Sequence, residues 1–364
     1  MSPYKIYSTI FLYTIIILTI IVASKLANKN YHQIKQGQNN AIFALILCLV
    51  FAYYIGMRPI HGGFGDTVFY AHTYSLMQSG IMDKSLQDTE WIWYQFADFC
   101  SQIIDVSLYF TLIALGYFGF TFVACKKLTP NNVLVSMLFM MGSFSFFSYG
   151  TNGIRNGLAC SIALVVIAFL ASSRKNILIG AIFAIIAINI HRTTLLPIAS
   201  LFASIYIIKS FKWAYTFWIL SIIISLVAGG AVTALFAGLG FDERLSYLTE
   251  FDNGMFSQAG FRWDFLIYSM MPIVLGYYVV FKRGIQDRTY IILLNTYTIA
   301  NSFWVMVIRA NYSNRFAYLS WFMYPIVLAY PLLKLNIWGK EQGKRVQQVM
   351  LVHVGFTWFM STIY

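Results

Sequence analysis

The sequence predicts an all-α integral membrane protein, a bundle of about twelve transmembrane helices built as a single polytopic domain over residues 1–364. Three observations predict it. Charged residues make up only 10% of the chain and hydrophobic ones 59%, whereas a soluble domain carries about 25% charged residues. Apolar residues run together over Ile6 to Ser24, Ala41 to Met57 and Ala214 to Gly240, near or above the ~20 residues that cross a hydrocarbon core. Basic residues collect in alternate connections, as cytoplasmic loops require.

Hydropathy places helices near 6–24, 41–57, 107–124, 133–149, 154–172, 177–190, 194–208, 214–240, 263–281, 288–308, 316–335 and 348–363. The first is too long for a signal-peptide core and lacks a clean cleavage site, so it is read as a retained helix. Residues His191 to Thr194 leave almost no loop between two helices, which predicts a tight hairpin with Thr193 or Thr194 as a cap. Polar stretches never exceed about 50 residues, below the size of an independent soluble domain.

Charge sets the orientation. With the N-terminus outside, the inner loops hold sixteen of the 25 basic residues and only Asp287 and Glu341 among 13 acids. Every inner loop is basic, and the reversed arrangement would violate the positive-inside rule. Two outer loops are long, about 58–106 and 241–262. The first holds a Gly-rich turn (Gly62, Gly63, Gly65), an amphipathic stretch from Thr67 to Met77, and the segment Glu90-Trp-Ile-Trp-Tyr94. Elaboration of one face marks where function is carried. The net charge of +12 is thereby explained by topology, and no basic soluble surface is left to bind nucleic acid.

Cys48, Cys100, Cys125 and Cys160 show no C-x-x-C spacing, so neither metal nor redox use is expected. P-loop, H-E-x-x-H and G-x-S-x-G motifs are absent, which excludes nucleotide-driven transport, zinc proteolysis and α/β-hydrolase chemistry.

The outer face is unusual in its choice of cation. Its nine basic residues are Lys5, Arg58, Lys84, Arg155, Arg192, Arg244, Arg262, Arg309 and Arg315; the inner sixteen include four Arg. Topology needs only positive charge, and a lone interfacial Arg is most often a snorkelling anchor. A face that selects Arg points instead to planar, two-pronged donors for phosphate or carboxylate. Arg58, Arg155, Arg192, Arg309 and Arg315 all sit at predicted helix ends, at one depth.

His191 beside Arg192 reads either as a structural histidine or as a proton carrier. Asp66 reads as a turn former or a general base, and Glu90 is a second carboxylate in the same loop. Tyr70, Trp91, Trp93 and Arg244 are weaker candidates for contacting a glycan, because Trp and Tyr are common at membrane interfaces anyway.

With these residues in view, the chain resembles the EpsG family of bacterial exopolysaccharide and capsule proteins, related in role to Wzy-type polymerases. The matching pieces are Arg58-Pro59, Gly65-Asp66-Thr67 with Tyr70, Glu90 ahead of Asp98 to Asp105, Gly153-Ile-Arg155-Asn156-Gly-Leu-Ala159, His191-x-Thr193, and Arg315 with Tyr318. Asn156 departs from the Gln usual in the family. The resemblance implies a GT-C-like architecture and a glycosyltransferase that joins oligosaccharide repeat units carried on undecaprenyl diphosphate. It implies action at the outer face of the bacterial cytoplasmic membrane, without metal or cofactor. Exopolysaccharide, capsule or O-antigen would be the product, and a flippase and a chain-length regulator are the implied partners. By position, Asp66 would be the base with Glu90 as its alternative, His191 would orient or protonate the diphosphate, and Arg58, Arg155, Arg192, Arg309 and Arg315 would hold it. Two other readings stand beside this one. A membrane O-acyltransferase would use His191 but leave the Arg excess unexplained. A flippase for lipid-linked sugars would need polar groups through the membrane midplane, where charge is nearly absent.

Overall fold

The computed structural model describes residues 2–37, 40–81, 90–173, 177–238, 260–310 and 313–363. The expected Arg244 and most of the second outer loop lie outside them. The described residues form helices and no strand. Lipid offers no hydrogen bonds, so apolar segments satisfy their backbone groups internally.

In chain order the helices are α1 Pro3–Leu26, α2 Tyr31–Gln36, α3 Ala41–Gly56, α4 Thr67–Gln78, α5 Trp91–Ser101, α6 Val106–Leu128, α7 Val133–Met141, α8 Phe146–Thr151, α9 Ile154–Ser172, α10 Ile177–Ile190, α11 Leu195–Phe202, α12 Phe211–Gly238, α13 Trp263–Tyr277, α14 Arg288–Met306, α15 Ser313–Trp321, α16 Tyr324–Lys334 and α17 Gln342–Ile363. Starts follow side-chain caps. Asp105 accepts from the N–H groups of Ser107 and Leu108 at 2.8 and 3.0 Å, and Asp287 accepts from Tyr290 at 2.8 Å.

Each of the twelve predicted segments overlaps helix among the described residues. Six helical spans among the described residues are long and apolar enough to cross a membrane: Pro3–Leu26, Val106–Leu128, Ile154–Ser172, Phe211–Val232, Trp263–Lys282 and Ser313–Lys334. Ala41–Gly56, Pro130–Met141, Ile177–Ile190 and Arg192–Ile207 are shorter apolar helices. This is a helical membrane protein.

Two details differ from the sequence reading. The helix expected over 133–149 is broken between α7 and α8 at 142–145, where Gly142 and two serines replace apolar residues. A break frees carbonyls that need partners when buried. On α17, His353 Nε2 lies 2.8 Å from the Phe139 carbonyl, and the Thr357 hydroxyl donates to the Gly142 carbonyl at 2.7 Å. Secondly, the residues expected to form a tight hairpin contain a 3-10 turn, Arg192–Thr194. There the Thr194 hydroxyl donates to the His191 carbonyl at 2.7 Å instead of capping the next helix.

Contacts group the chain into two compact units, Met1–Thr194 with Ala329–Tyr364, and Leu195–Leu328. In the first unit α6 packs on α3 and α9, α9 on α10, and α1 on α17. Gly56 sets the closest approach: a side chain there would come within 2.5 Å of the Thr111 Cα on α6.

The connections of this unit sort to two ends. At one end Asn131 and Asn132 donate to the Lys35 and Ile34 carbonyls, Gly343 N–H donates to Lys29, and the Tyr31 hydroxyl to Lys334. These are segments assigned inside by charge. At the other end the Tyr4 ring meets Phe64 edge-on at 5.5 Å, and Asp66 and Glu90 join residues that start α9 and end α10. These are segments assigned outside.

In the second unit buried polar side chains tie α12, α14 and α15 together. The Trp218 indole donates to Asn301 at 2.8 Å, and the Asn301 amide to the Ser320 hydroxyl at 3.0 Å. Such interhelical bonds join helices where lipid supplies no hydrophobic drive.

Candidate functional site

Glu90 is the hub. It stands at the residue before α5, with no capping bond from its side chain, and has φ 63°, ψ 39°, a left-handed conformation unusual for a non-glycine residue. Strain of this kind persists only where surrounding contacts fix it. Those contacts are strong. Arg155, in the first turn of α9, places a guanidinium nitrogen 2.7 Å from Glu90 Oε2. His191 Nδ1 lies 3.0 Å from Glu90 Oε1, and the Arg192 backbone N–H donates to the same oxygen at 2.9 Å.

The site therefore joins three connections far apart in sequence. Burial would raise the Glu90 carboxyl pKa, but the His191 hydrogen bond and the Arg155 charge outweigh it and lower it to about 2. A carboxylate that acidic and that fully engaged is a poor base and a firm anchor. It holds His191 by Nδ1.

Tyr70 and Tyr94 lie beside the Arg155 guanidinium. The Arg155 Nε is buried and has no hydrogen-bond partner among the described residues. A buried, unsatisfied charge-bearing donor calls for an acceptor. Arg192 contributes its backbone to Glu90, while its side chain is exposed.

Asp66 stands next to this hub through Asn152. The Asp66 N–H donates to Asn152 Oδ1 at 2.8 Å, and Asn152 lies just ahead of α9. Gly65 permits the turn, with φ 60° and ψ −120°, and a side chain there would collide with Asn152. The Asp66 side chain is exposed and makes no capping hydrogen bond to α4. Asn152 was not singled out in the sequence. The Asn-Gly pair before a helix start was the available signal.

Arg58 occupies a different environment. It is 2% exposed, with Nε and a terminal nitrogen on the Thr67 hydroxyl at 3.2 and 3.0 Å and the other on the Ile55 carbonyl at 2.9 Å. Its guanidinium also stacks over the Phe110 ring at 4.6 Å. Burial pulls its pKa down to about 10, opposed by Tyr70, so it stays charged at neutral pH. Thr67 in turn donates to the Thr151 carbonyl at 2.9 Å, so Arg58 fixes the turn that carries Asp66. Arg58→Lys keeps the charge and loses the fork. We expect it to lower stability by about 2 kcal/mol, read as a lower melting temperature in detergent, with chain synthesis falling in proportion to folded protein.

The aromatic candidates divide. Trp93 is buried against Tyr70 and Tyr109, with ring centroids at 5.9 and 6.1 Å. Trp91 is exposed at the start of α5. In the second unit, Arg309 is exposed beyond the end of α14, donates to the Leu226 carbonyl at 3.4 Å and faces the Phe261 ring at 5.8 Å. Arg315 is exposed in the first turn of α15.

A family model described as the EpsG family matches residues 41–362, nearly the whole chain. The chain belongs to the EpsG family. Membership makes it a membrane protein of the polysaccharide-polymerase type. No curated protein and no solved structure matches it. In this EpsG chain the matched region contains Glu90, Arg155 and His191 together with Asp66.

Proposed function

We propose that the chain is the polymerase that joins oligosaccharide repeat units carried on undecaprenyl diphosphate, working at the outer face of the bacterial cytoplasmic membrane. The observation that carries the proposal is the Glu90-anchored cluster, which sets His191 and two arginines at one helix-end layer. The basic segments gathered at the opposite end favour an outward-facing cluster. Twelve crossings and a GT-C-like arrangement follow from the same charge alternation and from the family.

The proposed reaction needs a base, an electrophile and a leaving group. Asp66 takes the proton of an acceptor sugar hydroxyl. The oxygen attacks the anomeric carbon of the donor, and the bond from that carbon to the lipid diphosphate breaks. Negative charge grows on the departing diphosphate. Arg192 and Arg155 meet it, and the sequence adds Arg309 and Arg315 as further cations. His191, held by Glu90, orients the diphosphate or gives it a proton. Glu90 thus serves as a positioning residue. Trp91 is the aromatic group open to a sugar ring. A flippase that delivers the units and a regulator of chain length are the expected partners.

A deletion strain tests the proposal by its glycan ladder. Loss of long chains with single repeat units retained is the expected result; chains of normal length would overturn it. Retained polymer lacking acyl groups would assign the protein to the acyltransferases instead.

A further inference from the structure

The first unit contains a cavity of about 280 Å³ at the end opposite Glu90. It is enclosed by the C-terminal half of α1, the residues around α2, the start of α3 and the start of α7. The two ends are held apart by α1, which has Tyr4 against Phe64 at its start and Lys25 in its last turn. Twenty-four residues of helix span about 36 Å.

The lining is two-sided. One wall is apolar and includes Leu18, Val22, Phe43 and Leu134. The rim is polar, with Lys25, Lys29, Gln33 and Asn132. Neither lysine ammonium has a partner among the described residues. Lys35 is directed elsewhere, over the Tyr31 ring at 5.6 Å. Glu341, the one carboxylate at this end among the described residues of the unit, lies 3.5 Å from Arg345. The rim is therefore cationic and uncompensated, at the depth where helices meet the headgroup layer. The same helices, α1 and α3, expose Ile17, Ile21, Ile42 and Ile46, and Ile21 also lines the cavity.

We propose that this cavity binds the phosphate headgroup and first chain carbons of an anionic phospholipid, a site separate from the glycan-transferring face. Lys25 and Lys29 contact the phosphate, and the acyl chains leave along the exposed isoleucines. A free anion would use the rim and have no need of the apolar wall. A zwitterionic lipid would leave the two charges unbalanced. The proposal does not rest on the polymerase reading.

Native mass spectrometry of the full chain, released from detergent containing equimolar phosphatidylglycerol and phosphatidylcholine, tests it. Wild type is expected to retain phosphatidylglycerol selectively. Each surface lysine contributes about a fivefold factor to anionic-lipid affinity, so Lys25→Gln with Lys29→Gln should weaken retention by about 30-fold. Lys25→Arg with Lys29→Arg should retain it. Val22→Trp, which fills the cavity from α1, should lower retention with both lysines intact. Equal retention of the two lipids, an unchanged double Gln variant, or displacement by excess inorganic phosphate would each overturn the assignment. None of these outcomes depends on polymer synthesis.

Discussion

Glu90→Gln is expected to abolish polymer synthesis while the protein still reaches the membrane. The substitution keeps the size of the side chain and removes its charge. Arg155 then carries a buried cation without a counter-charge, since its 2.7 Å partner is gone. Removing one partner of a buried ion pair costs roughly 3 kcal/mol or more. The catalytic cost is larger. His191 and Arg155 both take their positions from this carboxylate, and a displacement of about 1 Å in a catalytic group costs roughly 100-fold in rate. Pulse-labelled glycan ladders and a melting curve read the two effects separately. The same residue sets an acid dependence. Its folded pKa, about 2, lies below the ordinary 4.5. The stability it contributes is therefore present above about pH 4.5 and lost as pH falls toward 2. The melting temperature of wild type should fall across that window, and that of Glu90→Gln should fall less. Equal slopes would show that the ion pair contributes nothing.

Asp66→Asn is expected to remove long chains without touching the fold. The side chain is exposed and uncapped, and the hydrogen bond that fixes the turn comes from its backbone N–H. Stability should change by less than about 0.5 kcal/mol. Loss of a general base lowers a rate by about 10²- to 10⁴-fold. The ladder should therefore collapse to single repeat units at normal protein abundance. A wild-type ladder would remove Asp66 from the chemistry and leave the arginine cluster standing.

The helical segments were legible because long apolar runs and alternating loop charge are properties of the chain itself. The sorting of connections to two ends was legible for the same reason. Breaks and partnerships were less so. Gly142 interrupts a helix whose composition favours continuity, and the compensating donors, His353 and Thr357, come from the far end of the sequence. Glu90, Arg155 and His191 could be named one by one as candidates. Their union could not, because Glu90 and Arg192 are 102 residues apart and no periodicity encodes which helix ends become neighbours. Arg58 and Arg155 look alike in sequence, each at a helix end on the outer face. Thr67 and Phe110 enclose the first, while the second pairs with Glu90 and keeps a buried, unpartnered Nε. Trp91 and Trp93 separate on the same ground, as two positions along a helix turn face different surroundings.

The most direct measurement follows both products at once. Purified protein in vesicles would receive a repeat unit on undecaprenyl diphosphate, and glycan length and released lipid diphosphate would be counted together. The account predicts chains longer than one unit, one lipid diphosphate released per glycosidic bond, and loss of both with Asp66→Asn. Folded protein that lengthens no chain, or that lengthens chains without releasing the diphosphate, would contradict it.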